Sequence, residues 1–399
     1  MGINPLKITA QILIAFAMMF PDVLCNGFAS AQETDEKPGE ESLLRFIEIG
    51  GVAEFTVSRK QSSEGETSTS TAAEQLEMGA GIEPHPWIGS EFGWIHEHEE
   101  DHGEEEEGHE LGIFTGTIIV GPPDGTWWLK GGVQFLPFTM FELAEVHAAH
   151  DASIGPFETH AIVDPLSFEL GSKREKSLLL GVSLGEFLGS VYGYYGDDAR
   201  SDEPRSGFGA AVGYKKHVDE EDEIAFNLSY IDDVGTLAGF QEEVFGHEAE
   251  AHGEEHGADH SGPLAGDDER VPGWSVATAI HYSGVAFSAE YMISQNRYAP
   301  GVLSFDGRGA RPAAWSLEAG YGFELAGRGG EFTLGYQGTS EAAGLGIPST
   351  RYLSVVTVDL WKDTLFSTFE WIHDREYGTA GGGSGENTNK YTLQLGVEF

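Results

Sequence analysis

The end of the chain alternates strictly between apolar and polar residues. From position 391 every second residue is apolar: Tyr391, Leu393, Leu395, Val397 and Phe399. An alternation of period two predicts a β-strand with one apolar and one polar face. A phenylalanine that closes such a strand is typical of bacterial outer-membrane barrels, in which every strand must be paired because an open sheet edge cannot lie in hydrocarbon.

Segments with the same alternation recur from residue 45 onward. In 73–83, for example, Leu76 and Met78 share one face, and Gln75 and Glu77 share the other. The predicted strands are 45–58, 73–83, 87–96, 111–120, 126–136, 175–184, 188–196, 207–215, 223–231, 272–283, 285–295, 314–324, 331–339, 350–361, 363–372 and 390–399. The pattern therefore predicts an all-β fold, a transmembrane antiparallel β-barrel of about 16 strands with long outer loops; one merged or split hairpin would give about 14 or 18.

Short and long connections alternate between these strands. The short ones are 84–86, 121–125, 185–187, 216–222, 283–284, 325–330 and residue 362. Bacterial barrels have short periplasmic turns and longer outer loops, so we expect both termini in the periplasm and every long connection outside the cell. A barrel of this size is wide enough for an aqueous channel, which makes a pore the default function.

The N-terminal region carries an export pattern. Lys7 is followed by an apolar run over 8–20, and Ala29 and Ala31 supply the small residues of a cleavage site. We therefore expect a cleaved signal peptide at 1–31, a polar periplasmic linker at 32–44 and the barrel at 45–399. The single cysteine, Cys25, lies inside the predicted signal, so the mature chain is expected to form neither a disulfide nor a thiolate metal site.

The chain is strongly acidic. It contains 66 Asp and Glu against 22 Lys and Arg, for a formal net charge of −44. Nucleic-acid partners require basic surfaces, so this balance excludes them. It favours cations as partners, although an acidic surface that serves solubility would have the same composition.

Two histidine-rich, acidic tracts lie in predicted outer loops. Together they hold eight of the 15 histidines: His96, His98, His102, His109, His247, His252, His256 and His260. Imidazole and carboxylate are ligands for zinc, nickel or copper(II), so the tracts predict loop-bound divalent metal, with zinc first, while no cofactor is required. A merely solvated acidic loop and a pH-sensing loop are the alternatives.

The third outer connection, 137–174, is acidic and also carries histidine. In general porins an inward-folding third loop narrows the channel. The candidate constriction residues here are Glu142, Glu145, His147, His150, Asp151, Glu158, His160 and Asp164. An acidic constriction would favour cations over anions; the alternative is a loop that covers the barrel mouth with solvated polar residues.

This connection also carries a resemblance to a known family. The residues concerned are Phe157, Glu158, Thr159, Asp164, Pro165, Leu166, Glu169, Leu170, Gly171, Arg174 and Glu175. They resemble the signature of the LbtU-type siderophore porins, which reads approximately Phe-Glu-Thr, then Ser-Asp-Pro-Leu-Thr-Leu-Glu-Leu-Gly, then Arg-Glu. Val163 stands where that family usually has serine, and the match covers about residues 157–197.

The resemblance implies an outer-membrane barrel of porin type, named for uptake of iron–siderophore complexes. Two features depart from it: the polar segment before the first strand is short, and residues 139–155 add His147, His150 and Asp151. Because this insertion and the two tracts place histidine in three loops, we favour divalent metal over a siderophore.

These features predict a passive outer-membrane porin whose loops capture divalent metal or metal complexes for uptake. A siderophore porin is one alternative, and a structural or adhesive barrel bridged by cations to lipopolysaccharide is another. Nothing in the spacing of Ser349, His373 and Asp374 supports a Ser/His/Asp arrangement, so we do not expect an enzyme. The expected partners are small ions, metal or metal-chelate solutes, outer-membrane lipid, and the barrel-assembly machinery through the C-terminal strand; the oligomeric state stays open, a homotrimer being common among such barrels.

Overall fold

The computed structural model describes residues 47–63, 65, 67–98, 109–138, 165–171, 174–198, 201–218, 222–237, 270–361 and 364–398. The predicted signal peptide and linker lie outside these residues. The first strands are β1 (Ile47–Ser62), β2 (Thr67–His85), β3 (Ile88–His98), β4 (His109–Val120), β5 (Trp127–Phe135), β6 (Arg174–Leu184), β7 (Phe187–Asp198), β8 (Ser201–His217) and β9 (Glu223–Ile231). They continue as β10 (Gly273–Tyr282), β11 (Val285–Ser294), β12 (Ser304–Phe305), β13 (Arg308–Gly309), β14 (Ala313–Leu325), β15 (Arg328–Ser340), β16 (Thr350–Trp361), β17 (Leu365–Arg375) and β18 (Asn387–Glu398).

All strands except β12 and β13 form one closed antiparallel barrel of sixteen strands. Each barrel strand pairs with the next one along the chain, and β1 pairs with β18 to close the ring, with Val57 opposite Leu393. The two-residue strands β12 and β13 form a separate ribbon in the connection between β11 and β14. The predicted fold class is thus confirmed, including the number of strands. No helix among the described residues is long and apolar enough to cross a membrane.

The alternation at the C-terminus has the predicted orientation. Tyr391 and Leu393 are 40% and 53% exposed on the outer surface, whereas Thr392 and Gln394 are 1% and 4% exposed inside the barrel. The same pattern holds in β9, where Phe226 and Leu228 face outward and Asn227 and Ser229 are buried. An apolar outer band and a polar interior are what a barrel in lipid requires.

Aromatic side chains mark both edges of the apolar band. At the end near the long connections, the rings of Trp315 and Tyr336 lie 4.5 Å apart, and Tyr336 stacks on Tyr352 at 5.0 Å. At the end near the short turns, Phe187 meets Tyr214 at 5.2 Å. Aromatic girdles of this kind lie at the two membrane interfaces, which supports an outer-membrane location.

The short turns confirm the predicted hairpins, and the structure also shows the backbone conformation of these turns. Ser283 and Gly284 have φ of 52° and 76°, and Ala326 and Gly327 have φ of 56° and 76°. Two successive residues with positive φ form a type I′ turn, whose twist matches that of antiparallel strands. Glycine in the second position adopts this conformation without steric cost.

Two strands extend further than predicted. The prediction began β2 at residue 73 and β8 at residue 207, whereas the observed strands begin at Thr67 and Ser201. Only four residues, 63–66, therefore separate Ser62 of β1 from Thr67 of β2, so the first outer connection is much shorter than predicted. Residues 67–71 read Thr-Ser-Thr-Ser-Thr; polar residues on both faces hide a strand from a search for alternation, although threonine favours strands.

Candidate functional site in the barrel lumen

The third outer connection enters the barrel and forms a short helix there, α1 (Leu166–Gly171). Pro165 precedes the helix, and its carbonyl accepts hydrogen bonds from the N–H groups of Phe168 and Glu169 at 2.8 and 2.9 Å. Proline is tolerated at this boundary because it has no N–H that would need a hydrogen-bond partner. At the start of the connection, the Ser229 hydroxyl on β9 donates to the carbonyl of Phe138.

The helix crosses the lumen to the far wall. It is joined to β6, yet it makes hydrogen bonds to residues of β11, β14, β15 and β16. In the ring of sixteen strands, β16 lies eight places from β6, which is diametrically opposite. The described part of the third connection therefore folds inward, which is one of the two alternatives that the sequence left open.

Four polar contacts attach the helix to that wall. The Leu166 N–H donates to the Gln337 side-chain oxygen at 3.1 Å. The Ser167 hydroxyl donates to Glu290 Oε2 at 2.8 Å and lies 3.0 Å from the Ser316 hydroxyl. Arg351 Nη1 donates to Glu169 Oε1 at 2.5 Å.

These wall residues belong to a single cross-strand row. The backbone register places Glu290 opposite Ser316, Ser316 opposite Gln337, Gln337 opposite Arg351, and Arg351 opposite Asp374. We call these five residues the docking row. The helix is thus held by adjoining residues of four strands, β11, β14, β15 and β16, and Asp374 of the fifth strand supports Arg351.

Arg351 is the basic member of the docking row. Its side chain is 9% exposed and is bound on both sides, by Glu169 of the helix and by Asp374 of β17. The contact with Asp374 is bidentate, with Nε–Oδ1 and Nη2–Oδ2 distances of 2.8 and 3.1 Å. A bidentate guanidinium–carboxylate pair fixes geometry as well as charge.

The other side of the helix packs into an apolar core at the outer mouth. Leu166 and Leu170 are fully buried there. The buried cluster to which they belong includes residues of several long connections: Leu136 and Phe138 from the third, Val234, Leu237 and Val271 from the fifth, Tyr298, Leu303 and Ala310 from the sixth, and Ala342, Leu345 and Ile347 from the seventh. We call this cluster the mouth core. It fills part of the lumen that in an open pore would hold water.

The wall around the docking row is acidic. Glu290, Glu318, Glu331 and Glu370 occupy inward positions of β11, β14, β15 and β17, as the outward exposure of their sequence neighbours shows. Glu290 and Glu370 are buried, whereas Glu318 and Glu331 are half-buried. Elsewhere in the barrel, Lys130 of β5 and Lys215 of β8 face inward and are paired with carboxylates, Lys130 with Glu91 at 3.0 Å and Lys215 with Glu223 at 3.1 Å. The lumen therefore presents excess negative charge on this wall.

The ends of the fifth outer connection are tied together. The Asp233 carboxylate accepts hydrogen bonds from the N–H groups of Gly235 at 3.1 Å and Val271 at 3.3 Å. Arg270 binds Asp232, which also accepts from the Tyr194 hydroxyl at 3.1 Å. The second histidine tract, 247–260, is part of the chain between these fixed ends.

The sixth and seventh outer connections are joined through Glu341. Its carboxylate binds Arg297 at 2.5 and 3.0 Å, the Arg311 N–H at 2.8 Å and Arg308 at 3.4 Å. The Arg297 guanidinium holds the pKa of the Glu341 carboxyl below its usual range.

Acid is expected to release this junction. Because the folded-state pKa of Glu341 is lowered, its stabilising contribution is complete above the ordinary glutamate pKa of about 4.3 and is lost as the pH falls through the lowered value. The protection factors of residues 295–312, which correct hydrogen exchange for the pH dependence of the intrinsic amide rate, should therefore fall on acidification below about pH 4 in the wild type. Glu341→Gln should exchange fast already at pH 7, and Glu324→Gln, at the other end of β14, should behave as wild type. Equal protection in Glu341→Gln and wild type at pH 7 would contradict the assignment.

The structure places only part of the predicted site residues. His96 and His98 lie in β3 and His109 in β4, so these three belong to strands rather than to the outer loop in which we predicted them. The register sets His98 opposite His109. The other predicted metal ligands, His102, His247, His252, His256 and His260, lie outside the described residues.

The predicted constriction residues, Glu142, Glu145, His147, His150, Asp151, Glu158, His160 and Asp164, also lie outside the described residues, as do Phe157 and Thr159 of the family motif. The rest of the motif is described: Leu166, Glu169, Leu170 and Gly171 form the crossing helix, and Arg174 and Glu175 begin β6. Within the described part of the chain, no group of three or more His, Cys, Asp or Glu side chains is arranged to hold a metal ion.

Sequence reasoning missed the acidic wall and Arg351. The signal was present, because Glu290, Glu318, Glu331, Arg351 and Glu370 are charged residues at the polar positions of alternating strands. A charge at an inward position of a predicted barrel strand marks the lumen. What the alternation alone could not show is which of these charges meet.

No protein-family model matches the chain. Among curated proteins it is similar to UPF0422 proteins, with 28% identity over 269 residues to one from Legionella pneumophila (strain Lens), covering 61% of this chain and 48% of the relative. A UPF0422 protein of Coxiella burnetii is 28% identical over 230 residues, covering 56% of this chain and 45% of the relative. The chain thus spans about half the length of the curated relatives it matches.

Solved structures of outer-membrane porins share the fold. An anion-selective porin from Comamonas acidovorans has a TM-score of 0.55 at 10% identity, covering 88% of this chain and 99% of the porin. OmpF of Salmonella typhi, solved with daunomycin, has a TM-score of 0.55 at 9% identity, covering 88% of this chain and 97% of OmpF. OprB of Pseudomonas putida has a TM-score of 0.53 at 11% identity, covering 89% of this chain and 94% of OprB. The chain therefore has a porin-like barrel fold. Since one of these porins is anion-selective, the fold does not decide which ions pass.

Proposed function

We propose that the protein is a passive outer-membrane channel that favours small cations over anions. The observation that carries this proposal is the excess of carboxylates, Glu290, Glu318, Glu331 and Glu370, on the lumen wall of a closed porin-like barrel. Carboxylates along a pore lower the free energy of a passing cation and raise that of an anion. Arg351 does not offset them, because it is bound to Glu169 and Asp374.

Planar-bilayer recording tests this function. With potassium chloride in unequal concentrations on the two sides, the purified protein should carry a steady current whose reversal potential has the sign of a cation-selective pore. A reversal potential of anion-selective sign would refute the cation preference. The absence of current would instead favour the structural or adhesive barrel.

Capture of divalent metal at the outer mouth is the second part of the proposal. It is supported by the eight histidines of the two tracts, by the register that brings His98 opposite His109, and by the fixed base from which the second tract extends. Histidine and carboxylate together suit zinc, nickel or copper(II). Binding of metal ions at the mouth would raise the local metal concentration at the channel entrance.

Uptake of a ferric chelate, as in the LbtU-type siderophore porins, is the alternative that a specific observation favours. The residues that carry that resemblance include the crossing helix itself. Growth of a deletion strain under zinc, nickel, copper and iron limitation in turn separates the two: a defect restricted to iron would support the chelate, and a defect under zinc, nickel or copper limitation would support the free metal.

A further inference from the structure

The crossing helix is fastened on two chemically different sides. Its polar contacts are with the docking row, and its leucines are buried in the mouth core. The apolar contacts are non-directional and would tolerate a shift of the helix, because they depend on buried area rather than on angle. The polar contacts fix its position.

Arg351 dominates the polar side for an electrostatic reason. It lies between two carboxylates, Glu169 on the helix and Asp374 on β17, and its side chain is almost fully buried. Without the guanidinium, these carboxylates would lie close together with no cation between them. Like charges in a buried site repel strongly, so the helix would be driven away from the wall.

We infer that Arg351 is the positioning residue that holds the helix across the lumen, and that the held helix together with the mouth core restricts passage to small ions. The second half of this inference, the restriction of passage, rests on the proposed channel function. A helix attached to the wall opposite β6, with apolar side chains filling the space beside it, leaves less cross-section than the open barrel. Solutes of the size of a metal chelate are then excluded while the helix is held.

A disulfide can report the position of the helix directly. The hydroxyl oxygens of Ser167 and Ser316 are 3.0 Å apart, so cysteines at these positions are close enough to form a disulfide. The chain has a single cysteine, Cys25, which is replaced by serine in all variants. Thr357 and Thr368 supply the matched control, since their hydroxyls are also 3.0 Å apart but join β16 to β17 without involving the helix.

The first measurement is disulfide yield in outer membranes after mild oxidation. Ser167→Cys with Ser316→Cys should cross-link about as completely as Thr357→Cys with Thr368→Cys. Adding Arg351→Gln should lower the yield of the helix pair several-fold and leave the control pair unchanged, and Arg351→Lys should give an intermediate yield. The control pair also shows that the barrel has formed in every variant.

The second measurement is single-channel conductance, with neutral polyethylene glycols of graded mass as probes of size. Arg351→Gln should raise the conductance and admit larger polymers. Oxidised Ser167→Cys with Ser316→Cys in the Arg351→Gln background should restore wild-type conductance, and a reducing agent should raise it again. The oxidised control pair should have no such effect.

The two measurements separate failure of this inference from failure of the proposed function. If wild-type protein carries no current, the channel function is wrong, and cross-linking alone decides whether Arg351 holds the helix. If the helix pair cross-links equally well with glutamine at position 351, Arg351 is not the positioning residue. If its yield falls but conductance and size limit stay constant, the helix does not restrict passage.

Discussion

Replacing Glu318 and Glu331 with glutamine is expected to lower the cation-over-anion permeability ratio about two- to five-fold. A unit charge about 8 Å from the permeation path contributes about 0.5 kcal/mol in water, so two contribute about 1 kcal/mol before screening. The Debye length of about 10 Å at 0.1 M salt roughly halves this value. Both residues are half-buried on the inner wall, and glutamine keeps their shape and one acceptor oxygen.

Reversal potentials across a salt gradient measure the effect. A matched control also removes two carboxylate charges, but from the short turns, with Asp124→Asn and Glu186→Gln. It should leave the cation-over-anion permeability ratio unchanged. The difference between the two variants should shrink in about 1 M salt, where the Debye length is about 3 Å. If the lumen variant and the turn variant have the same ratio at low salt, the acidic wall does not set selectivity.

Removing the two histidine tracts is expected to abolish most zinc and nickel binding by the purified protein. The appropriate variant deletes 99–108 and 247–260 and replaces His96, His98 and His109 with glutamine, because these three residues belong to β3 and β4. Deleting them would shorten two barrel strands. Eight of the 15 histidines are then absent, and the carboxylates that remain are poor substitutes for imidazole with these metals.

Calorimetry measures the stoichiometry for zinc, nickel and calcium. The control replaces His85, His217 and His281 with glutamine, which removes histidine from the end of the barrel with the short turns. It should bind zinc as wild type does. The same zinc stoichiometry in wild type and in the tract variant would refute metal capture, whereas a loss of calcium binding alone would indicate a purely acidic, oxygen-ligand surface.

The crossing helix favours a channel for small ions over a siderophore porin. A siderophore porin must pass a solute much larger than a hydrated ion. The described part of the third connection lies across the lumen, with Leu166 and Leu170 buried in the mouth core. Passage of a chelate would therefore require the helix to leave the docking row, and Arg351 opposes that movement.

Some features of the fold could not be predicted from the local pattern. The six-residue helix 166–171 is too short to display a helical period, and we expected only a loop there. The outer extensions of β2 and β8 lack alternation, because both faces of those ribbons are polar. The shortened first connection follows from that extension.

The sequence by itself determined the barrel. The period-two alternation, the turns and the terminal strand predicted about sixteen strands and the face on which their residues lie. These features could be predicted because they depend only on neighbouring residues along the chain and on the contrast between lipid outside and a polar interior. The tertiary structure alone decided which inward residues meet. Glu169 and Arg351 are 182 residues apart in sequence, and Glu290, Ser316, Gln337, Arg351 and Asp374 form one row only once the register of five strands is fixed. Closure of the ring then places that row opposite β6, where a loop that leaves β5 can reach it across the lumen.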